Sequence, residues 1–440
     1  MNKTFVKDLD ELVQANIISA GTAQHILHYY QNKAAEKPNR FPIIVNVLGA
    51  LLASLGIILV IAHNWDELGR FSKTIIAFLP LLLGQGLCIY TLLKQKNSIA
   101  WKETSAVVLF FGIASCISLI SQTYNISGEL SSFLLVWMLL AIPLVYIMPS
   151  AVTALLYIGG ITWYACEVGY FGYSRTNSIP YYYIGLLALI GPHFYLYWKN
   201  RKDSNRFILL AWMITLSLTI ALGAFSESSY NSPEWVSCAY IAMFCVFYLA
   251  GRSEAFEDNR LFANPFLSIG ALGILFILFF WSFEGIWTSI LHPYYDKTGK
   301  AEFFYAPFFY LSFAMLLIAI WLIVMHHYKR VSKVIFDPMG FSGMLLFLLL
   351  LVAHGNPQFG TLIINAWILF VAVFFIRKGA ITDHLGILNF GLTIIALLAM
   401  FRFFDDQIPF VWRGLFFLAT GIGFFVANYL MVKKRKELKG

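Results

Sequence analysis

The sequence predicts an all-α fold: a polytopic transmembrane helical bundle of about 14 spans, preceded by a small cytoplasmic helical hairpin. Of the 440 residues, 59% are hydrophobic and only 12% are charged, whereas soluble domains are about half apolar and a quarter charged. Runs of about 20 apolar residues, the length that crosses a bilayer, recur along nearly the whole chain. The alternating pattern of a membrane β-strand is absent, so the spans are predicted to be helices.

Residues 1–40 form a separate polar segment. Two short amphipathic stretches, centred on Leu12 and Leu27, are separated by a break at residues 18–22. Ser19 or Thr22 is the expected N-cap of the second stretch. A hairpin this small cannot bury a core alone, so we expect it to dock on the membrane domain, on another copy in a homo-oligomer, or on a protein partner. The segment lacks the apolar region of a signal peptide.

The membrane domain is predicted to cover residues 41–431, and a basic cytoplasmic tail covers residues 432–440. The predicted spans are 41–63, 73–93, 104–122, 129–148, 150–171, 180–198, 207–226, 235–250, 265–283, 307–326, 336–353, 360–376, 383–401 and 409–431.

The loop charges predict the orientation of the chain. With the N-terminus in the cytoplasm, 24 of the 31 Lys and Arg residues fall on the cytoplasmic side and six on the other. This bias is typical of cytoplasmic loops, and it predicts an even span count with both termini inside. The net charge of +8 is therefore assigned to topology and to contact with anionic lipid heads, and no nucleic-acid partner is expected.

The sequence gives no indication of a cofactor or a metal site. The five cysteines fall within or at the edges of spans, without a CxxC pair, and are interpreted as small packing residues. No P-loop, HExxH or GxSxG motif is present.

Three stretches carry a resemblance to a known family. "LGALLASLGIILVIAHNWDELGRFSK" follows the hairpin, and "ISQTYNISGE" opens a later pair of spans. Together with the hairpin, these stretches resemble a bacterial polytopic membrane protein family of uncharacterised activity, domain of unknown function 2157. The resemblance covers roughly residues 5–150. It implies this architecture and a location in the bacterial inner membrane, and it implies no mechanism.

Two pairs of stretches suggest a parallel internal duplication offset by eight spans. "VLGALLASLGIIL" near span 1 is similar to "SIGALGILFILFF" near span 9, and "ISQTYNISGELSSFLLVW" is similar to "VAHGNPQFGTLIINAW". Copies eight spans apart would have the same orientation. Chance recurrence of small residues in apolar helices is the alternative interpretation.

Polar side chains gather where the predicted outer turns lie, while the span centres carry no Asp, Glu, Lys or Arg. Because ions in hydrocarbon are costly and usually functional, this distribution predicts a polar outer-leaflet layer as the candidate binding site. Its members are His63, Asn64, Trp65, Asp66, Glu67, Arg70, Gln122, Tyr124, Glu129, His354, Asn356, Arg402, Asp405, Asp406 and Arg413.

Each of these groups also has a purely structural interpretation. The stretch "HNWDELGR" after span 1 would then hold helix-capping groups, an interfacial Trp anchor and an Arg on lipid phosphate. Arg402 and Arg413 require an anionic partner if buried. Asp405 and Asp406 are the internal candidates, and an anionic ligand is the alternative.

Deeper polar residues are interpreted as packing groups. Gln85 lies between two glycines in span 2, so its amide is expected to bond across a close helix contact. Asn365, Asn389 and Asn428 are assigned the same role in spans 12 to 14, and His193 follows Pro192 at an expected kink.

Three classes of function fit these observations. The first is a carrier or flippase-like protein that handles an amphipathic or lipid-linked anionic molecule at the polar outer layer. The second is a membrane enzyme acting on a lipid-linked substrate, with Asp66 or Glu67 as general base. The third is a membrane scaffold or sensor without catalysis. The sequence favours the first only slightly.

Overall fold

The computed structural model describes fifteen helices and no strand within residues 9, 11–15, 17–35, 40–63, 69–171, 179–201, 204–226, 233–253, 256, 263–291, 307–329, 337–352, 356–403 and scattered positions between 411 and 425. The helices are α1 Ala20–Ala35, α2 Arg40–His63, α3 Arg70–Lys94, α4 Ile99–Thr123, α5 Leu130–Ile147, α6 Ala151–Gly169, α7 Tyr181–Arg201, α8 Asn205–Ala224, α9 Pro233–Gly251, α10 Pro265–Phe280, α11 Glu284–Leu291, α12 Pro307–Lys329, α13 Pro338–Val352, α14 Pro357–Ile381 and α15 Leu385–Phe403. The all-α prediction is confirmed.

The first thirteen predicted spans each coincide with one of these helices. Within the described residues, nine helices are long and apolar enough to cross a membrane, and a tenth crossing arises if the bent pair α10 and α11 is one span. The chain is therefore a multi-pass membrane protein. The last predicted span, 409–431, lies mostly outside the described residues, and the total of fourteen stays a prediction.

The N-terminal segment contains one of the predicted helix starts. Ser19 is the residue before α1, and its Oγ accepts a hydrogen bond from the Thr22 backbone N–H at 3.1 Å. A serine at this position satisfies an N–H group that the first helical turn leaves without a partner. Of the two N-cap residues predicted for this helix, Ser19 is the one observed.

The chain divides into two compact units, the first comprising Met1–Glu129 and Leu139–Ala154. In this unit α2 and α3 both pack on α4. A side-chain carbon placed on Gly84 would lie 2.6 Å from the Leu109 Cα, and one on Gly112 would lie 2.7 Å from the Pro80 carbonyl oxygen. The reversed order of these contacts shows that α3 and α4 are antiparallel, with backbones in close approach at the glycines.

A buried carboxylate near the start of α4 forms hydrogen bonds with the start of α6. Glu103, 4% exposed, accepts hydrogen bonds from the Ser150 hydroxyl at 2.5 Å and from the backbone N–H groups of Ala151 and Val152 at 3.1 and 3.0 Å. The N–H groups at the start of α6 thus stabilise an acid on a different helix, as expected for the positive end of a helix dipole.

The second unit comprises Leu130–Met138 and Leu155–Gly440. Its centre is α9, on which α10, α12 and α13 pack. Trp235, Cys238 and Cys245 on α9 are fully buried, and the two free cysteines are packing residues, as predicted. A second packed pair, α14 and α15, contacts this core through α13 and α10.

Candidate functional site at a broken helix

The break between α10 and α11 is the centre of the candidate site. The two helices are bent by 80°, and the residues between them are Trp281, Ser282 and Phe283. The Ser282 hydroxyl donates a hydrogen bond to the Phe279 carbonyl at 2.6 Å. A side-chain bond of this kind competes with the helical pattern, and it accompanies the end of α10.

The carbonyl groups released by the break are satisfied by side chains. The Trp287 indole N–H donates to the Trp281 carbonyl at 2.7 Å, and the Asn365 amide of α14 donates to the Ser282 carbonyl at 2.9 Å. Non-helical backbone at membrane depth is tolerated only where neighbouring groups satisfy it in this way. The break is therefore stabilised by specific side-chain hydrogen bonds. Asn365 has the packing role predicted for it.

Arg402 brings a positive charge to this break. It lies in the last turn of α15 and is 8% exposed. Its Nη2 donates to the Ser282 hydroxyl at 2.8 Å, and its guanidinium carbon lies 4.3 Å from the centre of the Phe283 ring. A guanidinium stacked on an aromatic face gains about 0.5–2 kcal/mol, depending on desolvation. We call Ser282, Phe283, Asn365 and Arg402 the Arg402 cluster.

The surroundings of the cluster are aromatic and apolar. The Phe401 ring lies 5.0 Å from that of Phe279 and 6.2 Å from that of Phe283, while the rings of Trp281 and Trp287 are 4.8 Å apart. In such surroundings a cation has few competing water molecules, so its interaction with an anionic group is strengthened. Among the described residues, no group of three His, Cys, Asp or Glu side chains could hold a metal ion. The arrangement is suited to binding an anion that has an apolar part.

The predicted outer residues of the first unit are exposed. Arg70 begins α3, Gln122 lies in the last turn of α4, and Glu129 immediately precedes α5. The Tyr124 hydroxyl lies 3.1 Å from the Thr74 hydroxyl, so the start of α3 and the end of α4 are adjacent, as the prediction requires. His63 ends α2, where only its backbone is described.

In the second unit, Asn356 is an N-cap. Its side-chain oxygen accepts a hydrogen bond from the Phe359 backbone N–H at 3.1 Å. Arg402 is buried in the cluster described above. The remaining members of the predicted layer lie outside the described residues: Asn64, Trp65, Asp66, Glu67, His354, Asp405, Asp406 and Arg413. That all fifteen predicted residues surround one cavity stays a prediction.

Sequence reasoning missed Ser282 and Phe283, and it assigned Asn365 to packing alone. The available signal was the stretch "WSFEG", in which a serine, an acid and a glycine follow a largely apolar helix of 16 residues. The predicted role of Gln85 was wrong, because its side chain is exposed on α3 and Gly84 alone forms the close contact. Asn389 is also exposed, and Asn428 lies outside the described residues. His193 is buried beside Tyr197, their ring centres 5.0 Å apart.

The apolar spans, the helical architecture and the polar cluster at a broken helix define an integral membrane protein with several membrane-spanning helices. Residues 10–154 match the family described as predicted membrane protein (DUF2157), which confirms the resemblance over that part of the chain. No curated protein and no solved structure matches the chain significantly. The match ends within α6, so the Arg402 cluster lies beyond it.

Proposed function

We propose that the protein is a carrier or flippase-like protein for an anionic amphipathic or lipid-linked molecule, and that the Arg402 cluster is part of its binding site. The observation that supports this proposal most directly is the position of Arg402. Its guanidinium is held by a serine and a phenylalanine at a break in an apolar helix, rather than extended into water. Guanidinium groups are well matched to phosphate and carboxylate.

The broken helix supports transport over a purely structural role. Discontinuous membrane helices are typical of substrate sites in secondary transporters. The aromatic rings around Arg402 would contact the apolar part of the ligand, and the guanidinium would contact its anionic group. The ligand class is therefore an amphiphile with at least one negative charge.

We further propose a bacterial inner-membrane location with both termini in the cytoplasm. The excess of Lys and Arg in alternate loops supports this orientation. Under it, the end of α10 and the end of α15 both lie at the outer surface, so the Arg402 cluster is at outer-leaflet depth. The other predicted outer residues, Asp66 and His354 among them, are members of the same proposed outer layer.

Lipid movement in reconstituted vesicles tests the proposal. The full-length protein is placed in phosphatidylcholine vesicles that carry a trace of head-group-labelled phosphatidylglycerol, and a membrane-impermeant quencher reports how fast the label crosses the bilayer. We expect movement of the anionic label to exceed that of labelled phosphatidylcholine. Arg402→Ala should slow it about tenfold or more, since a hydrogen bond to a charged group contributes ~1.5–3 kcal/mol.

The matched control is Arg377→Ala, because Arg377 is an exposed arginine near the other end of α14. It should leave the rate unchanged, and Arg402→Lys, which keeps the charge, should retain more activity than Arg402→Ala. Equal rates for the two labels, or full activity in folded Arg402→Ala, would contradict the proposal. Movement of neither label would favour a scaffold or sensor.

A further inference from the structure

A glutamine lies on α3 outside the face that packs on α4. The buried residues of α3 recur at helical intervals and form one stripe that contacts α4: Ala77, Gly84, Cys88 and Thr91. Gln85 is exposed and lies beside this stripe, not in it. Among the described residues, no group forms a hydrogen bond with its amide.

The depth of Gln85 in the span makes this exposure costly. It lies twelve residues after Lys73 and nine before Lys94, which is about 18 and 14 Å at 1.5 Å per residue. Because these basic residues mark the ends of a helix that crosses about 30 Å of hydrocarbon, Gln85 is near the middle of the bilayer. A glutamine side chain is too short to reach water from there, and an amide in hydrocarbon requires a hydrogen-bond partner.

The partner of this amide must supply a donor and an acceptor at the same depth. A second copy of the chain, inserted in the same orientation, meets both conditions because it carries Gln85 at an identical depth. A side-chain amide has both donor N–H groups and an acceptor oxygen, so two copies related by a two-fold axis can bond to each other reciprocally. Gly86 leaves room for a second helix, since nothing lies within 4 Å of the position that a side-chain carbon would take there.

We propose that the protein forms a homodimer through the exposed face of α3, in which the Gln85 amides of the two copies hydrogen-bond to each other. Around Gln85 and Gly86 this face contains Leu82 and Ile89, which are 57% and 58% exposed and lie within one turn of Gln85. Helix association in a bilayer is driven by close packing at small residues and by hydrogen bonds between helices. The Arg402 cluster lies on other helices, so this proposal does not depend on the proposed function.

Two neighbouring leucines provide matched reporters for the interface. Leu82 and Leu83 are both 57% exposed, but successive side chains on a helix point about 100° apart, so Leu83 points away from the proposed face. Full-length Leu82→Cys and Leu83→Cys proteins are placed in phosphatidylcholine vesicles at several protein-to-lipid ratios and oxidised. We expect a disulfide-linked dimer with Leu82→Cys and little with Leu83→Cys. The wild-type protein, whose five native cysteines are buried or half-buried, is the blank.

Substitution of Gln85 tests the hydrogen bond itself. In the Leu82→Cys protein, Gln85→Leu should raise the dissociation constant of the dimer about threefold to thirtyfold, the range for side-chain hydrogen bonds between membrane helices. Gln85→Asn keeps the amide and should retain more of the dimer. Gln85→Leu should leave the melting temperature of the dilute, monomeric protein unchanged, because no described residue of the same chain bonds to the amide.

Four results would overturn the proposal. Equal cross-linking of the two leucine variants would show random collision, and absence of a dimer at every ratio would show that the chain does not associate. An unchanged dissociation constant in Gln85→Leu would show that copies associate without the amide. A lower melting temperature of monomeric Gln85→Leu would place the partner of the amide within the same chain.

Discussion

At the scale of single residues, the contacts that fix the polar groups join distant parts of the chain. Arg402 was expected to pair with Asp405 or Asp406, which lie outside the described residues, so that pairing stays a prediction. A described contact of Arg402 is with Ser282, 120 residues earlier. Its surroundings could be predicted only in part, because loop composition indicates that a cation needs an acceptor but not which distant helix supplies one. Burial of the guanidinium was predictable from its position at the end of an apolar helix.

A coupling measurement checks the contact between Arg402 and Ser282. Ser282→Ala and Arg402→Met should each lower thermal stability. The loss of unfolding free energy in the double variant should be about 0.6 kcal/mol smaller than the sum of the losses in the two single variants, which is the typical coupling of polar pairs in membrane helices. Ser282→Ala combined with Arg377→Met is the control pair, and its effects should be additive. Strict additivity in the first pair would contradict the described contact.

Glu103 gives a second prediction at this scale. Replacing it by Gln removes the charge and one of two accepting oxygens while three donors remain at Ser150, Ala151 and Val152. The variant should unfold at a lower temperature, with a loss of ~1–3 kcal/mol. Glu11→Gln, at an exposed position, should change stability by no more than about 0.5 kcal/mol. Equal melting temperatures of the two variants would argue against the role of Glu103 as a cap for α6.

At the scale of helices, the sequence predicts where apolar segments lie better than how they end. Thirteen predicted spans coincide with helices. The average hydropathy of about 20 consecutive residues depends only on their composition, and this is enough to locate an apolar helix. The 80° bend after α10 was not predicted, since the apolar run continues through Trp281 and Phe283. The Gly84–Gln85–Gly86 stretch correctly indicated a close contact, but only the structure distinguishes the glycine that faces α4.

Two glycines on the same helix test that contact. A side chain at Gly84 would meet the Leu109 backbone at 2.6 Å, whereas one at Gly86 would have nothing within 4 Å. Gly84→Ala should therefore cost ~1–3 kcal/mol through overpacking. Gly86→Ala should be neutral or stabilising by up to about 1 kcal/mol. The measurement is the melting temperature of each variant in the same detergent, and similar destabilisation by both would refute the α3–α4 packing.

At the scale of the whole molecule, orientation rests on the distribution of loop charges. A phosphatase active only outside the cytoplasm is fused after Gly440 or, in a separate protein, after Lys297 in a predicted outer loop. We expect the first fusion to be inactive and the second active, because alternate loops carry the positive-inside bias. An active fusion at Gly440 would place the C-terminus outside and, with the N-terminus inside, make the span count odd.

The capping of α6 by Glu103 also constrains how the chain enters the membrane. The residues that satisfy the carboxylate begin 47 positions later in the sequence, so at 5–20 residues per second they emerge about 2–9 seconds after it. During that interval Glu103 lacks the three donors at the start of α6. It immediately precedes the predicted span 104–122, and moving its charge into hydrocarbon before those donors arrive would be costly. We therefore expect the start of α4 to stay at the hydrated interface until α6 is synthesised, so that this end of the helix reaches its final depth only after α6 has been made.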